Sequence, residues 1–159
     1  MIDNSLLIVG SIALDTIEIG NERYENLLGG STTYATIAAG KYSDVSVVGI
    51  VGTDFPQKGY DVFNKYAQNT DDLKVGNGKT FSWGGRYHDN FDDRDTLFTE
   101  LGVFGDFNPQ LSQLNQNAKY VFLANIHPAL QNSVIDQCKS NPTIIIDTMN
   151  LWIDTTRNE

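Results

Sequence analysis

The chain has 159 residues and a formal net charge of −9 at pH 7, enough length for one domain with a substantial core. Nucleic acid and anionic membranes are held by clustered Lys and Arg, so a chain this acidic is a poor partner for either. Cys138 is the only cysteine, which excludes an internal disulfide.

Leu6-Leu7-Ile8-Val9-Gly10 is a continuous apolar run of the kind that forms a parallel strand buried on both faces. Ser11-Ile12-Ala13-Leu14-Asp15 carries it on to a carboxylate. In open α/β sheets the carboxyl ends of strands face the ligand crevice, and Asp15 is placed for one; a solvated turn aspartate is the plainer alternative. No basic region precedes the run, and Gly10 and Asp15 interrupt it. It reads as neither a signal peptide nor a membrane span, and a cytoplasmic protein is expected. Thr16 to Leu28, turning at Asn21-Glu22, predicts a small hairpin standing off the main sheet.

Gly29-Gly30-Ser31-Thr32-Thr33-Tyr34-Ala35 follows and runs into an Ala-rich helix ending near Gly40. The glycines allow a sharp turn and close approach of a ligand. Ser31, Thr32 and Thr33 are good helix N-caps, and Tyr34, Ile37 and Ala38 share one face. Such a helix start offers free amides and a positive dipole end to a ligand. A tight turn capping an ordinary helix accounts for the same residues.

Val45 to Val51 is a second buried strand, ending at Gly52-Thr53-Asp54-Phe55-Pro56. A helix is expected from about Gly59 to Asn69, and a short strand over Leu73–Val75. Between Gly76 and Asp106 the texture changes. Phe81, Trp83, Gly85 and Tyr87 alternate with Ser82, Gly84, Arg86 and His88, the period of a strand with one covered face. Thr96 to Leu101 can pair back on it, across the tip Asp89-Asn90-Phe91-Asp92-Asp93-Arg94-Asp95. Regular α/β patterning then resumes: a strand at Tyr120–Ala124, a loop at Asn125-Ile126-His127-Pro128, a helix over Ala129–Lys139, a strand at Thr143–Asp147, and a helix opening at Leu151. Cys138, beside Val134 and Ile135, reads as a small core residue rather than a nucleophile.

Metal and hydrolase chemistry find little support. The spacing of Asp89, Asp92, Asp93 and Asp95 is not that of an EF-hand, and a solvated tip accounts for it. His88 and His127 are far apart and lack cysteine partners, so no metal site is expected. There is no Gly-x-Ser-x-Gly elbow and no Gly-x-x-x-x-Gly-Lys-Ser/Thr loop.

Taken in order, Val9–Asp15, Gly29-Gly30 with its small-residue helix, Val48–Phe55, the insert after Gly76, Phe122–Pro128 and Asp147–Ile153 resemble the N-terminal half of the ribokinase-like, PfkB-type carbohydrate kinase family. The resemblance covers essentially the whole chain. It implies an α/β fold, a three-layer α/β/α Rossmann-like arrangement with a mostly parallel sheet. A small antiparallel β lid would form from segments 16–28 and 76–106, with residues 1–159 the N-terminal part of the kinase domain. The family transfers the γ-phosphoryl group of ATP, with Mg, to a hydroxyl of a sugar or nucleoside. By resemblance, Asp15 would accept hydrogen bonds from substrate hydroxyls. Gly29 and Gly30 would be the hinge of lid closure and let amides reach the substrate, with Ser31 and Tyr34 in the same substrate-facing turn. Arg86 and Tyr87 would cover the substrate and exclude water, and Asn125 and Asn150 would face the crevice from strand ends.

Two departures qualify the resemblance. Many family members have Asn where this chain has Tyr34, which points to a different substrate subgroup. The family's catalytic Gly-Ala-Gly-Asp segment, its Asn-x-x-Glu motif and its adenine-binding loops are absent from the sequence. No catalytic residue is therefore assigned within the chain; the base and the anion hole are expected beyond Glu159. Gly102-Val103-Phe104-Gly105-Asp106 ends in Gly-Asp, but it leaves the lid rather than opening a helix, and Phe104 would crowd phosphate oxygens. Ile144–Ile146 reads as an interior strand left without cover. The expectation is a fragment, the substrate-binding half of a kinase, inactive alone and without tight binding of ATP or Mg. The alternatives are a non-catalytic module binding a small polyol or nucleoside, and a homodimer formed through the β lid, for which Phe81, Trp83 and Tyr87 offer an apolar face.

Overall fold

A computed structural model describes residues 5–159. Its elements in chain order are β1 (Leu6–Val9), β2 (Ala13–Ile19), β3 (Glu22–Gly29), α1 (Ser31–Ala39), β4 (Val45–Val51), α2 (Gln57–Tyr66), β5 (Asn69–Val75), β6 (Phe81–Tyr87), β7 (Arg94–Glu100), β8 (Tyr120–Leu123), α3 (Pro128–Gln137), β9 (Thr143–Ile146) and α4 (Asn150–Thr155). Short 3-10 turns occupy Gly102–Asp106 and Asn115–Asn117.

The apolar runs build a five-stranded sheet in the order β5-β4-β1-β8-β9, parallel throughout. Alternation along each strand splits its side chains between two cores. Leu7 and Val9 join Val48, Val121 and Leu123 on one face, where Val134 of α3 packs. Leu6 and Ile8 join Val45, Val47 and Val51 on the other, covered by Ala35 and Ala39 of α1 and Phe63 of α2. The result is the expected three-layer α/β/α body. Each fully buried aliphatic side chain contributes roughly 1.5–3 kcal/mol, and Leu7, Ile8, Val9, Val45, Val47 and Val121 are all wholly inaccessible. β9 forms one edge, with Ile145 and Ile146 exposed.

The segments expected to form the lid build a second, four-stranded sheet, the lid sheet, in the order β3-β2-β6-β7. Its two hairpins are antiparallel, but β2 and β6 pair in parallel, so the sheet is mixed rather than antiparallel. The reason is topological. The chain passes through α1, β4, α2 and β5 between the two hairpins, and both leave the body in the same sense.

The run from Leu6 to Asp15 is not one strand. β1 stops at Val9, the backbone turns at Gly10-Ser11-Ile12, and β2 begins in the lid sheet. Asp15 is therefore a lid residue. α2 begins and ends earlier than expected, because Asn69 opens β5. β5 includes the polar stretch Asn69–Asp72, which the sequence disguises as a loop. Buried Asp72 accepts hydrogen bonds from Asn115 Nδ2 (2.6 Å) and the Ser112 amide (2.8 Å), far along the chain. α1 buries Thr32, Thr33 and Thr36 rather than the Tyr34-Ile37-Ala38 face, and Tyr34 is 62% exposed. No helix among the described residues is long and apolar enough to cross a membrane.

Candidate functional site

The site is built where the turn after β1 meets the turn before α1. Gly30 is the N-cap of α1, with φ 86° and ψ 146°, a backbone region that is essentially glycine's alone. A Cβ there would lie 2.8 Å from the Ile12 Cα. Ser11 closes the helix start: its Oγ accepts from the Ser31 amide (3.3 Å) and its carbonyl from the Thr32 amide (3.0 Å). Two of the amides at this helix start, those of Ser31 and Thr32, are thus already bonded. Ser31, Thr32 and Thr33 lie inside the first turn instead of capping it, and the Thr33 hydroxyl donates to the Gly29 carbonyl (2.6 Å). The Ser31 hydroxyl lies 3.2 Å from Ser11 Oγ and reaches the Asn125 carbonyl at 3.5 Å. A polar seam therefore joins α1, the β1 turn and the loop after β8.

Asp15 stands above this floor on β2. Its carboxylate rests against Gly29, where a Cβ would overlap Oδ2. No described residue hydrogen-bonds to it. Burial pushes its pKa from 3.8 up to about 6, because a low-dielectric setting disfavours the charged form. Tyr34 lies close by. Its phenol is pushed up by burial, then by the charge of Asp15 and by Tyr87. Asp15 and Tyr87 thus both lie within electrostatic reach of Tyr34, although Tyr87 pairs with Ile19, further out along the lid than Asp15.

Arg86 belongs elsewhere. β2 and β6 pair in register Asp15↔Trp83, Glu18↔Arg86 and Ile19↔Tyr87. Alternation puts Trp83, Gly85 and Tyr87 on the Asp15 face and Arg86 on the other. There its guanidinium binds Glu18 Oε2 through Nε (2.9 Å) and Nη2 (2.7 Å), and Arg23 binds the second Glu18 oxygen at 2.6 Å. These bonds hold the Glu18 carboxyl below the usual range.

Trp83, the partner of Asp15 across β2 and β6, lines a cleft of about 620 Å³ between lid and body; Ser11 and Asn125 line it too, whereas Asp15, Gly29, Gly30, Tyr34 and Tyr87 do not. The lid supplies Phe81, Trp83, Thr96 and Thr99; the body supplies Asn125, His127, Met149 and Trp152. Trp152 Nε1 donates to Asn125 Oδ1 (2.8 Å), and its ring meets His127 edge-on at 5.1 Å. His127 Nδ1 accepts from the Ala129 amide (3.1 Å), capping α3. That bond fixes the neutral tautomer with Nε2–H as a free donor. The sequence does not single out Trp83, His127 and Trp152 as binding residues. Only their position at strand ends and on a period-two lid strand hints at it. Asn150 is exposed at the first turn of α4 and does not line the cleft, although its neighbours Met149 and Leu151 do.

Glu159, just after α4, has contacts of its own. The chain turns back after α4, with the Glu159 amide donating to the Thr156 carbonyl (3.0 Å). This brings the Glu159 carbonyl to Asn132 Nδ2 on α3 (3.3 Å). Its carboxylate lies 3.6 Å from His127 Nδ1, beyond hydrogen-bond distance. Glu159 itself does not line the cleft.

The remaining candidates are structural. Asp54 Oδ1 accepts from the Thr80 amide (2.7 Å) and hydroxyl (2.8 Å), tying the end of β4 to the start of β6. Half-buried Cys138 donates to the Val134 carbonyl (3.3 Å), and burial raises its thiol pKa. At the lid tip Asp93 is engaged by Asn90 (2.9 Å), and Asp95 lies 3.2 Å from His88.

Magnesium-ATP, which the resemblance implies, does not fit the residues present. Among the described residues no three acidic, histidine or cysteine side chains converge. The leading amides of α1 are taken by Ser11. The Gly102–Asp106 segment is a 3-10 turn whose Phe104 stacks between Phe81 (5.4 Å) and Phe107 (5.6 Å).

Comparison with known proteins places the fold. No protein-family model matches the chain, and no curated protein matches it by sequence. Solved structures do. The nucleoside kinase of Methanocaldococcus jannaschii, an archaeal member of the ribokinase family, aligns over 91% of this chain and 52% of its own, at 17% identity and TM-score 0.71. Arabidopsis thaliana ribokinase, complexed with ribose and ATP, aligns over 91% and 53%, at 19% identity and TM-score 0.69. An E. coli protein assigned as ribokinase II, in complex with ATP and Mg, aligns over 97% and 56%, at 12% identity and TM-score 0.77. The fold is therefore ribokinase-like, and the chain spans about half the length of each of these structures.

Proposed function

We propose that this chain is the acceptor-binding, lid-bearing part of an ATP-dependent sugar or nucleoside kinase. The observation that carries the reading is Asp15. A half-buried carboxylate with no hydrogen-bond partner among the described residues, seated on a glycine at the base of the lid sheet, is poised to accept hydrogen bonds from a polyhydroxyl ligand. Above pH about 6 it is ionised, and a charged acceptor makes the stronger bond.

In this reading Gly30 is the pivot between lid and body, and Tyr34 and Tyr87 flank the bound hydroxyls. Asn125 faces them from the body, and the lid face excludes water. Holding the hydroxyl still lowers the entropic part of the barrier to its reaction. ATP would supply the phosphoryl group; its site, with Mg and the group that takes the hydroxyl proton, is assigned to no described residue of this chain. The chain alone then binds acceptor without turning it over, in a cytoplasmic setting.

Calorimetry with a panel of pentoses, hexoses, polyols and nucleosides tests this. Wild type binds at least one panel member, and Asp15→Ala weakens that binding tenfold or more. Binding that is indifferent to Asp15→Ala, or phosphorylation by the chain alone, contradicts the reading. A second reading rests on the lid's two open edges, β3 and β7, where Tyr24, Leu27 and Leu97 are exposed. Pairing of two lids would cover them. Sedimentation at high concentration decides it: a dimer supports it, a monomer removes it.

A further inference from the structure

Resting on the acceptor-binding reading, we propose that the acceptor carries a planar ring as well as hydroxyls, a nucleoside rather than a bare sugar. Its ring lies in the cleft between Trp83 of the lid and the His127–Trp152 pair of the body.

The walls make the case. Phe81 and Trp83 of the lid line the cleft together with Leu130, Met149, Leu151 and Trp152 of the body. Its volume, about 620 Å³, falls within the roughly 300–1,000 Å³ of small-molecule sites. A bare sugar would bring a rim of hydroxyls against these apolar surfaces. Burying hydroxyls without partners is unfavourable, whereas a flat ring exchanges water for aromatic contact.

The walls are also fixed in advance. The Trp83 indole lies over Gly85, and the Arg94 guanidinium sits 5.8 Å from its ring. Trp152 is held by its bond to Asn125 and its edge contact with His127. Rigid aromatic surfaces bind with little loss of side-chain freedom. Two donors next to the walls, Asn125 Nδ2 and His127 Nε2–H, have no acceptor among the described residues, and the Thr96 and Thr99 hydroxyls add to them. They suit the nitrogen and oxygen edge of a base.

The register joins the two halves of the ligand. Asp15 and Trp83 are direct partners across β2 and β6, and paired strands run roughly 4.8 Å apart. Hydroxyls at Asp15 and a ring beside Trp83 therefore fall within the reach of one nucleoside.

Trp83 and Trp152 are the chain's two tryptophans, so intrinsic fluorescence reports on this cleft. The experiment titrates the 159-residue chain with adenosine, uridine and D-ribose, followed by fluorescence and calorimetry. The expected result is quenching by a nucleoside that binds at least about tenfold tighter than ribose, the scale of one stacked ring. Trp83→Phe keeps that advantage. Trp83→Ala, checked for folding by circular dichroism, loses it, so that nucleoside and ribose affinities converge. Ribose binding as tightly as the nucleosides, with both dependent on Asp15, overturns the ring and leaves the acceptor site standing. Nucleoside binding without any change in tryptophan emission overturns the ring's placement. If neither class binds, the underlying reading falls and this inference with it. The wild-type affinity ratio needs no variant, so a misfolded Trp83→Ala leaves the test intact.

Discussion

The carboxylate of Asp15 rests on the α-carbon of Gly29 in the adjoining strand, in the volume that any larger residue's side chain would fill. Gly29 needs no left-handed backbone; only Gly20, Gly30 and Gly102 have positive φ among the described glycines. Its requirement is for space alone. Two neighbouring glycines thus serve different ends: Gly29 admits a side chain, and Gly30 turns the chain.

Gly29→Ala tests the first. The added methyl forces Asp15 from its seat, and overpacking of this kind costs roughly 1–3 kcal/mol. Urea denaturation should show that loss, together with weakened acceptor binding. In an Asp15→Ala background the stability penalty should shrink, because the obstructing group is gone. A penalty of the same size in both backgrounds would place the clash elsewhere.

The pH dependence has a defined sign. Asp15 has its pKa raised from 3.8 to about 6 on folding, so between those values the native state holds more protons than the unfolded one. Its ionisation opposes folding: the penalty is absent below pH 3.8, grows as pH rises, and is complete above about 6. Wild type should therefore lose stability relative to Asp15→Asn between about pH 4 and 7. Parallel stability curves for the two proteins would show that the site is not buried as described.

Trp152 and Asn125 should be coupled. Trp152→Phe removes the indole donor and leaves the Asn125 carbonyl oxygen unpaired, a loss of about 0.5–1.5 kcal/mol. A double-mutant cycle with Asn125→Ala should return a coupling of that order by chemical denaturation. Additive effects would mean the bond does not hold α4 to the β8 loop.

Arg86→Ala should leave acceptor binding within twofold of wild type. The residue pairs with Glu18 on the lid face turned away from Asp15. Its loss should instead let the Glu18 carboxyl titrate nearer its ordinary range, as an NMR pH titration can read. A tenfold loss of binding would put Arg86 back over the ligand.

Much of the body was legible because it rests on local patterns. Leu6–Val9, Val45–Val51 and Tyr120–Leu123 are apolar runs that became parallel strands, and the glycine pair opened a helix. What escaped depends on partners distant in sequence. Asn69–Asp72 looks like a loop until Asn115 and Ser112 satisfy Asp72. Ser31, Thr32 and Thr33 look like caps until Ser11, twenty residues before Ser31, takes their role. Glu159 looks like a bare boundary until Asn132 and His127 meet it. Asp15 could be singled out as a candidate but not placed, since nothing local says that the chain changes sheets at Ser11. The cleft drew on Trp83, His127 and Trp152, three residues that no spacing rule connects.

The most direct measurement is the carbon-13 titration of the Asp15 carboxyl, assigned by loss of its signal in Asp15→Asn, with and without saturating acceptor. Free protein should titrate near 6. Bound hydroxyls donate to the carboxylate and favour its charged form, so the midpoint should fall clearly below 6 in the complex. A midpoint unmoved by saturating ligand would mean that the acceptor does not touch Asp15, and the account of the site would be wrong.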